Sequence, residues 1–263
     1  MSGRSYLQCA HCRRPFLSPF QAPQSVRMTM SGSQTSCPCC HKATSADKPF
    51  WCDPRVDPPS LWSAVADFVA AINELYGYFL DTTFGLRHSL QQFLAGEDRT
   101  RAVCDPGTDI DTLPFLYGIG DPNAPDNRLL HATTRGEYRR RNEPGGRNFR
   151  RAGQLVLVLL YEYWESTYLE RISNALGKDR AELLVPLIGD LRLIRNDVVH
   201  CRGVISKDTH RKVTTITCSE GLEIYFSDEA FEQLIREMKG ALDRLVTDAG
   251  LPDPQHRTLW SVE

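Results

Sequence analysis

Apolar side chains return every three to four residues along 60–95, at Trp62, Val65, Phe68, Val69, Ile72, Leu75, Tyr76 and Phe79. That spacing puts them on one face of a helix and is incompatible with the two-residue alternation of a half-buried strand. Ser60, after Pro58 and Pro59, is the expected N-cap. Gly85 marks an expected break before a second short helix ending at Gly96. A helix with one apolar face needs partners, and the chain supplies them. Residues 147–176 predict a second long helix, stopped by Gly177. Residues 179–201 predict a third, with Asp179 as cap and Pro186 forcing a kink or a late start at 186–187. Residues after Ser227 or Asp228 predict a final one to about 247, with Phe231, Leu234, Ile235, Met238, Leu242 and Leu245 on one side. The fold class is therefore mainly α. A small β-hairpin is expected from Lys212–Thr217 and Leu222–Phe226 around Ser219-Glu220-Gly221. The stretch 97–134, rich in Asp, Gly, Pro and Asn, reads as a loop insertion.

The helical part occupies residues 60–250, and 251–263 is a tail. Before it, residues 53–59 (DPRVDPP) read as a linker, and residues 1–52 as a separate small module that holds six of the nine cysteines. The N-terminus lacks the apolar stretch of a cleavable signal, and the longest apolar run, Leu155 to Tyr161, is too short to span a bilayer. A cytoplasmic location is expected, where clustered thiols favour metal over disulfides. Cys9-Ala10-His11-Cys12 and Cys37-Pro38-Cys39-Cys40 are two C-x-x-C pairs, and two such pairs complete a four-thiolate tetrahedron around Zn²⁺. Cys9, Cys12, Cys37 and Cys40 are the expected ligands, with Cys39 and His41 as nearby competitors. The spacing resembles a zinc ribbon. A closed thiolate site has no open position for substrate, so its zinc is structural, and it supplies most of the stability of so small a module.

The formal net charge of −2 hides a pattern. Arg4, Arg13, Arg14, Arg27, Lys42 and Lys48 make the first module cationic. Arg135, Arg139, Arg140, Arg141, Arg147, Arg150 and Arg151 flank a Pro144-Gly145-Gly146 turn and face only Glu137 and Glu143 nearby. The rest of the chain is acidic. A near-neutral total thus does not exclude an anionic partner. The arginine stretch suits a flexible arm tracking an RNA backbone, through Arg139, Arg140, Arg141, Arg147, Arg150 and Arg151, as well as it suits a solvated loop.

The third predicted helix carries Arg195-Asn196-Asp197-Val198-Val199-His200, followed by Cys201-Arg202-Gly203. With Arg195 at the origin of a helical wheel, Leu184, Leu187, Leu191, Ile194 and Val198 fall between about −20° and −100°. Arg192, Arg195, Asn196 and His200 occupy roughly 0° to 140° beside them. One stripe is buried, and two arginines, an amide and an imidazole are presented together. Arginine holds phosphate through two parallel hydrogen bonds and stabilises extra charge in a phosphoryl transition state. Histidine moves protons near neutrality. Asp197 points nearly opposite Arg195 and is assigned a structural role. Glu162, Glu165 and Glu170 on the preceding helix read first as a solvated or salt-bridged face, with contact between one of them and Arg195 as the alternative.

This Arg-x4-His segment, with a polar residue after the Arg, resembles the signature of HEPN-domain proteins, and the order of helices over 60–248 resembles theirs. The resemblance implies a HEPN-like helical bundle that pairs as a homodimer, bringing two motif helices into one composite site. It implies a metal-independent endoribonuclease, in which the ribose 2′-hydroxyl attacks the adjacent phosphorus and leaves a 2′,3′-cyclic phosphate. Arg195 would stabilise the developing charge, His200 would act as general acid or base, and Asn196 would orient His200 or the phosphate. Such enzymes serve as toxins or anti-phage effectors, so an antitoxin or defence-system partner protein is implied, and no membrane. Two other classes stand beside this one: a non-catalytic HEPN-like module that binds RNA or nucleotide or assembles with a partner, and a zinc-ribbon DNA-binding regulator.

Overall fold

A computed structural model describes residues 53, 55–121 and 128–252, and the backbone of five short strands before them. Those strands are β1 (Ser5–Gln8), β2 (Pro15–Leu17), β3 (Thr35–Ser36), β4 (Ala43–Thr44) and β5 (Phe50–Trp51). β1 pairs antiparallel with both β2 and β5, and β3 pairs antiparallel with β4. In sequence, Cys9 and Cys12 fall between β1 and β2, and Cys37 and Cys40 between β3 and β4. The four cysteines themselves lie outside the described residues, as do Cys39, His41 and the tail from 253.

Everything that follows is predominantly helical. Helix α1 (Pro58–Ala95) runs without a break through Gly85, where an added Cβ would meet nothing. A helix-interior glycine costs about 1 kcal/mol. The buried Thr83 just before it, and Leu90 and Phe93 beyond it, hold α1 in place on both sides. Asp57, not Ser60, caps the helix: its carboxylate accepts the Ser60 amide at 3.4 Å and the Ser60 hydroxyl at 2.7 Å. The two prolines fill the first helical positions, where their missing N–H groups are not needed.

The expected loop 97–134 holds regular structure in its described residues, 97–121 and 128–134. It contains α2 (Glu97–Val103), a 3-10 turn at Ile110–Thr112, and an antiparallel hairpin of β6 (Pro114–Ile119) and β7 (Arg128–Thr134). The turn residues around these elements dominate the composition and mask them. Phe115 reaches in to pack beside Phe93 and Tyr138, which form a small second core with Leu90. The hairpin expected at 212–226 does not form. There, α7 (Lys207–Lys212) is followed by irregular chain, and a single bridge joins Val204 to Glu223. The amides of Thr214, Thr215 and Ile216 all donate to one carboxylate oxygen of Asp190, which takes the hydrogen bonds a strand partner would have used.

Helix α3 (Arg135–Asn142) leads through a tight turn to α4 (Arg147–Tyr163), a π-helical turn (Trp164–Tyr168) and α5 (Leu169–Leu176), which ends at Gly177 with φ of 62°. The arginine stretch is therefore helical on both sides of Pro144-Gly145-Gly146 and is not a flexible arm. Helix α6 (Pro186–His200) starts late, with Pro186 in its first turn and a separate 3-10 turn at Arg180–Glu182 before it. Leu184 thus leaves the apolar stripe and is 81% exposed. Helix α8 (Asp228–Asp248), capped by Ser227, closes the bundle on α1, where Phe79 stacks on Phe231 at 4.1 Å. Phe68 stacks on Tyr168 at 4.6 Å and so ties α1 to the π-helical turn. Among the described residues, no helix is long and apolar enough to cross a membrane.

Candidate functional site on helix α6

Helix α6 is buried on one side through Leu187, Leu191 and Ile194 of the expected stripe, and also through Ile188, which the stripe did not include. Two acids share the buried arc. Asp190 anchors residues 214–216, and Asp197 accepts the Ser206 amide at 2.8 Å. Asp197 is thus structural, as its position on the wheel indicates.

The opposite side carries the motif. Arg192, Asn196 and His200 are exposed, and Arg195 is partly buried. Glu162 on α4 accepts from the Arg195 Nε at 2.9 Å and from its Nη2 at 2.6 Å. The remaining edge of the guanidinium donates from Nη1 to Asn196 Oδ1 at 3.1 Å. The Arg195 guanidinium also lies over the Tyr161 ring, 5.9 Å from its centroid. These contacts fix the direction of Arg195, while Asn196 and His200 stand exposed on the same helix.

The chain leaves α6 through a strained turn. Arg202 has φ of 55° and Gly203 has φ of 84°. The Gly203 amide donates back to the Asp197 carbonyl at 3.0 Å. Gly203 sits so close to α4 that an added Cβ would approach the Gln154 amide nitrogen to 2.5 Å. Because Gly203 meets Gln154 while Arg195 meets Glu162, α6 runs antiparallel to α4.

The arginine stretch is a network rather than a free cluster. Arg139 pairs with Glu97 and Asp111. Arg141 lies against Tyr117 and Tyr138 and donates to the Tyr117 hydroxyl at 3.1 Å. Arg150 pairs with Glu223 at 2.9 Å, and Gln154 donates to the same carboxylate at 3.1 Å. Burial pushes the Glu223 carboxyl up, but these bonds outweigh it and hold it below the usual glutamate value. Arg140, Arg147 and Arg151 keep more exposed side chains, although Arg140 and Arg147 lean on Glu137 and Arg151 donates to Gln154.

Beside the motif lies a cleft of about 410 Å³ that the sequence reading did not include. It opens between the start of α6 and the end of α4, and Arg180 and Arg192 stand among its lining residues. Tyr161 belongs both to this cleft and to the floor beneath Arg195. Burial raises the Tyr161 phenol above its usual pKa, and a hydrogen bond with Glu165 adds to the effect. The one signal for the cleft in the sequence is Gly189, a glycine inside a helix with no turn around it. Among the described residues, no group of three or more His, Cys, Asp or Glu is placed to hold a metal ion. The chain matches no family model, no curated protein and no solved structure.

Proposed function

We propose that the chain is an endoribonuclease whose reacting groups are Arg195, Asn196 and His200. The observation that carries this reading is their arrangement: they share the solvent-facing side of one helix, with Arg195 aimed by Glu162 from a second. A phosphate at this face meets a fixed guanidinium, an amide and an imidazole that is open to solvent. The 2′-oxygen forms a bond to phosphorus, the bond to the 5′-oxygen breaks, and the products are a 2′,3′-cyclic phosphate and a 5′-hydroxyl. One proton must leave the 2′-hydroxyl and one must reach the 5′-oxygen. Two copies of α6 facing each other in a homodimer supply two His200 side chains for these transfers. Exposed Leu155, Tyr163 and Val199 are the apolar surface for that pairing. Arg195 stabilises the charge on the phosphorane. Arg140, Arg147 and Arg151 extend the cationic track for the RNA backbone.

The N-terminal module is read as a zinc ribbon. Each C-x-x-C pair connects two antiparallel strands, which is the connection a zinc knuckle needs. Its zinc is structural and takes no part in the cleavage. A role as a toxin or anti-phage effector in the cytoplasm, held by an antitoxin or defence partner, completes the proposal.

The test is incubation of the zinc-loaded protein with RNA in EDTA, comparing wild type, Arg195→Ala and His200→Ala. Cleavage with cyclic-phosphate ends, lost in both variants, is expected. Equal cleavage by all three proteins, or none by wild type, overturns the reading. Metal analysis of Cys9→Ser against Cys39→Ser assigns the zinc ligands: loss of metal is expected only in the first.

A further inference from the structure

The cleft beside Tyr161 is walled by apolar side chains, among them Trp164, Leu169, Leu183, Pro186 and Ile188. Its volume of about 410 Å³ is in the range of small-ligand sites. Two cations stand at it. Arg180 is oriented by donating to the Glu165 carbonyl at 3.2 Å. Arg192 is exposed, and among the described residues no carboxylate lies within ion-pairing distance of it. An apolar hollow flanked by guanidinium groups suits a ligand with a flat, weakly polar body and an anionic arm.

The position of the cleft narrows the choice. Arg192 and Arg195 are three residues apart on α6, so their side chains are neighbours. Tyr161 contacts both places. A polyanion held at Arg195 reaches Arg192 with its next charged group and brings the attached base to the mouth of the cleft. Gly189 supports the same view. It lines the cleft from within α6, where glycine weakens a helix, and an added Cβ there would meet no atom within 4 Å. No packing contact explains the missing side chain, whereas an open cleft does.

We propose that this cleft is the base-binding subsite of the enzyme. It seats the nucleobase next to the phosphate at Arg195, while Arg192 and Arg180 hold the flanking phosphate. The proposal rests on the ribonuclease reading and deepens it: the shape of the cleft sets which base stands beside the cut.

The experiment is calorimetric titration of the full chain with the four nucleoside 3′-monophosphates and with ribose 5-phosphate, in wild type, Gly189→Leu, Arg192→Ala and His200→Ala. Wild type is expected to bind at least one nucleotide, and at least tenfold more tightly than ribose 5-phosphate. His200 lies outside the cleft, so His200→Ala is expected to change the affinities for nucleotide and ribose 5-phosphate by the same factor. Gly189→Leu fills the cleft from a helical position, so it is expected to melt no lower than wild type and to bind that nucleotide at least tenfold more weakly. Arg192→Ala is expected to weaken it in the same direction. Unchanged nucleotide binding in Gly189→Leu overturns the proposal. So does equal affinity for ribose 5-phosphate, or tighter binding of a medium-chain carboxylate than of every nucleotide. Cleavage assays separate the two readings. RNA cut by Gly189→Leu with unaltered base preference removes the subsite and leaves the nuclease. Nucleotide binding lost in Gly189→Leu, with no cleavage even by wild type, keeps the subsite and removes the nuclease.

Discussion

Asp190 gathers more hydrogen bonds on one atom than any other acid described above. Its Oδ2 accepts from the amides of Thr214 at 2.9 Å, Thr215 at 2.5 Å and Ile216 at 3.2 Å, and from the Thr215 hydroxyl at 2.6 Å. The residue is buried, and Ile216 is buried beside it. In Asp190→Ala the Ile216 amide loses its acceptor out of reach of water, which costs about 1–3 kcal/mol. Thr214 and Thr215 are exposed, so water replaces their lost bonds, and each contributes about 0.5 kcal/mol. The sum is about 3 kcal/mol, a large fraction of the stability of an ordinary domain. For a domain of this size it corresponds to a fall of roughly 6–12 °C in melting temperature. Asp190→Asn keeps an oxygen acceptor and loses only the charge, so about half the effect is expected. Urea unfolding followed by circular dichroism measures both. A loss below about 1 kcal/mol in Asp190→Ala, or equal losses in the two variants, would refute the reasoning. Neither change touches Arg195 or His200, so the proposed RNA cleavage is expected to be the same in both variants well below the melting temperature.

Three further expectations follow from the contacts around α4 and α6. The Glu223 carboxyl is held below its unfolded value, so its contribution is present above that value and is lost as pH falls through the folded one. Acid unfolding of Glu223→Gln is therefore expected to show a shallower loss of stability below about pH 4.5 than wild type; parallel curves count against the Arg150–Gln154 clasp. Gly203→Ala places a Cβ against Gln154 at φ of 84°, and a destabilisation of at least about 1–2 kcal/mol is expected by urea titration; a neutral result means that the turn after His200 relaxes freely. Glu162→Gln releases Arg195 from a partly exposed pair, so stability is expected to change by less than about 1 kcal/mol while kcat for the proposed RNA cleavage drops on the order of tenfold to a hundredfold with KM nearly constant. A stability loss with unchanged kcat would make Glu162 only a strut between the helices.

Much of the bundle is legible residue by residue. The apolar stripe of α8, the late start of α6 at Pro186 and the stop at Gly177 are local effects of periodicity, ring closure and left-handed backbone, and the structure contains each of them. The face that joins Arg192, Arg195, Asn196 and His200 is likewise local, because four residues on one helix share a side whatever packs behind them. The errors have a common cause. Gly85 suggests a break, but buried contacts on both sides of it outweigh the propensity of one residue. Lys212–Phe226 alternates like a hairpin, but a carboxylate from another helix takes its amides. The true hairpin, β6 and β7, lies where turn residues hide two short strands.

The sequence by itself determined the helical class, the boundaries set by proline and glycine, and the polar face of α6, since all of these depend on neighbours a few residues apart. Only the tertiary structure decided what surrounds that face. Glu162 reaches Arg195 across thirty-three positions, Gln154 meets Glu223 across sixty-nine, and the cleft at Tyr161 is walled by two stretches of chain, 161–169 and 180–192. Such contacts arise from how the helices pack, and packing depends on the fit of all the buried side chains at once. No local pattern encodes it, and for that reason the groups that aim Arg195 and open the cleft beside it emerge only in the folded chain.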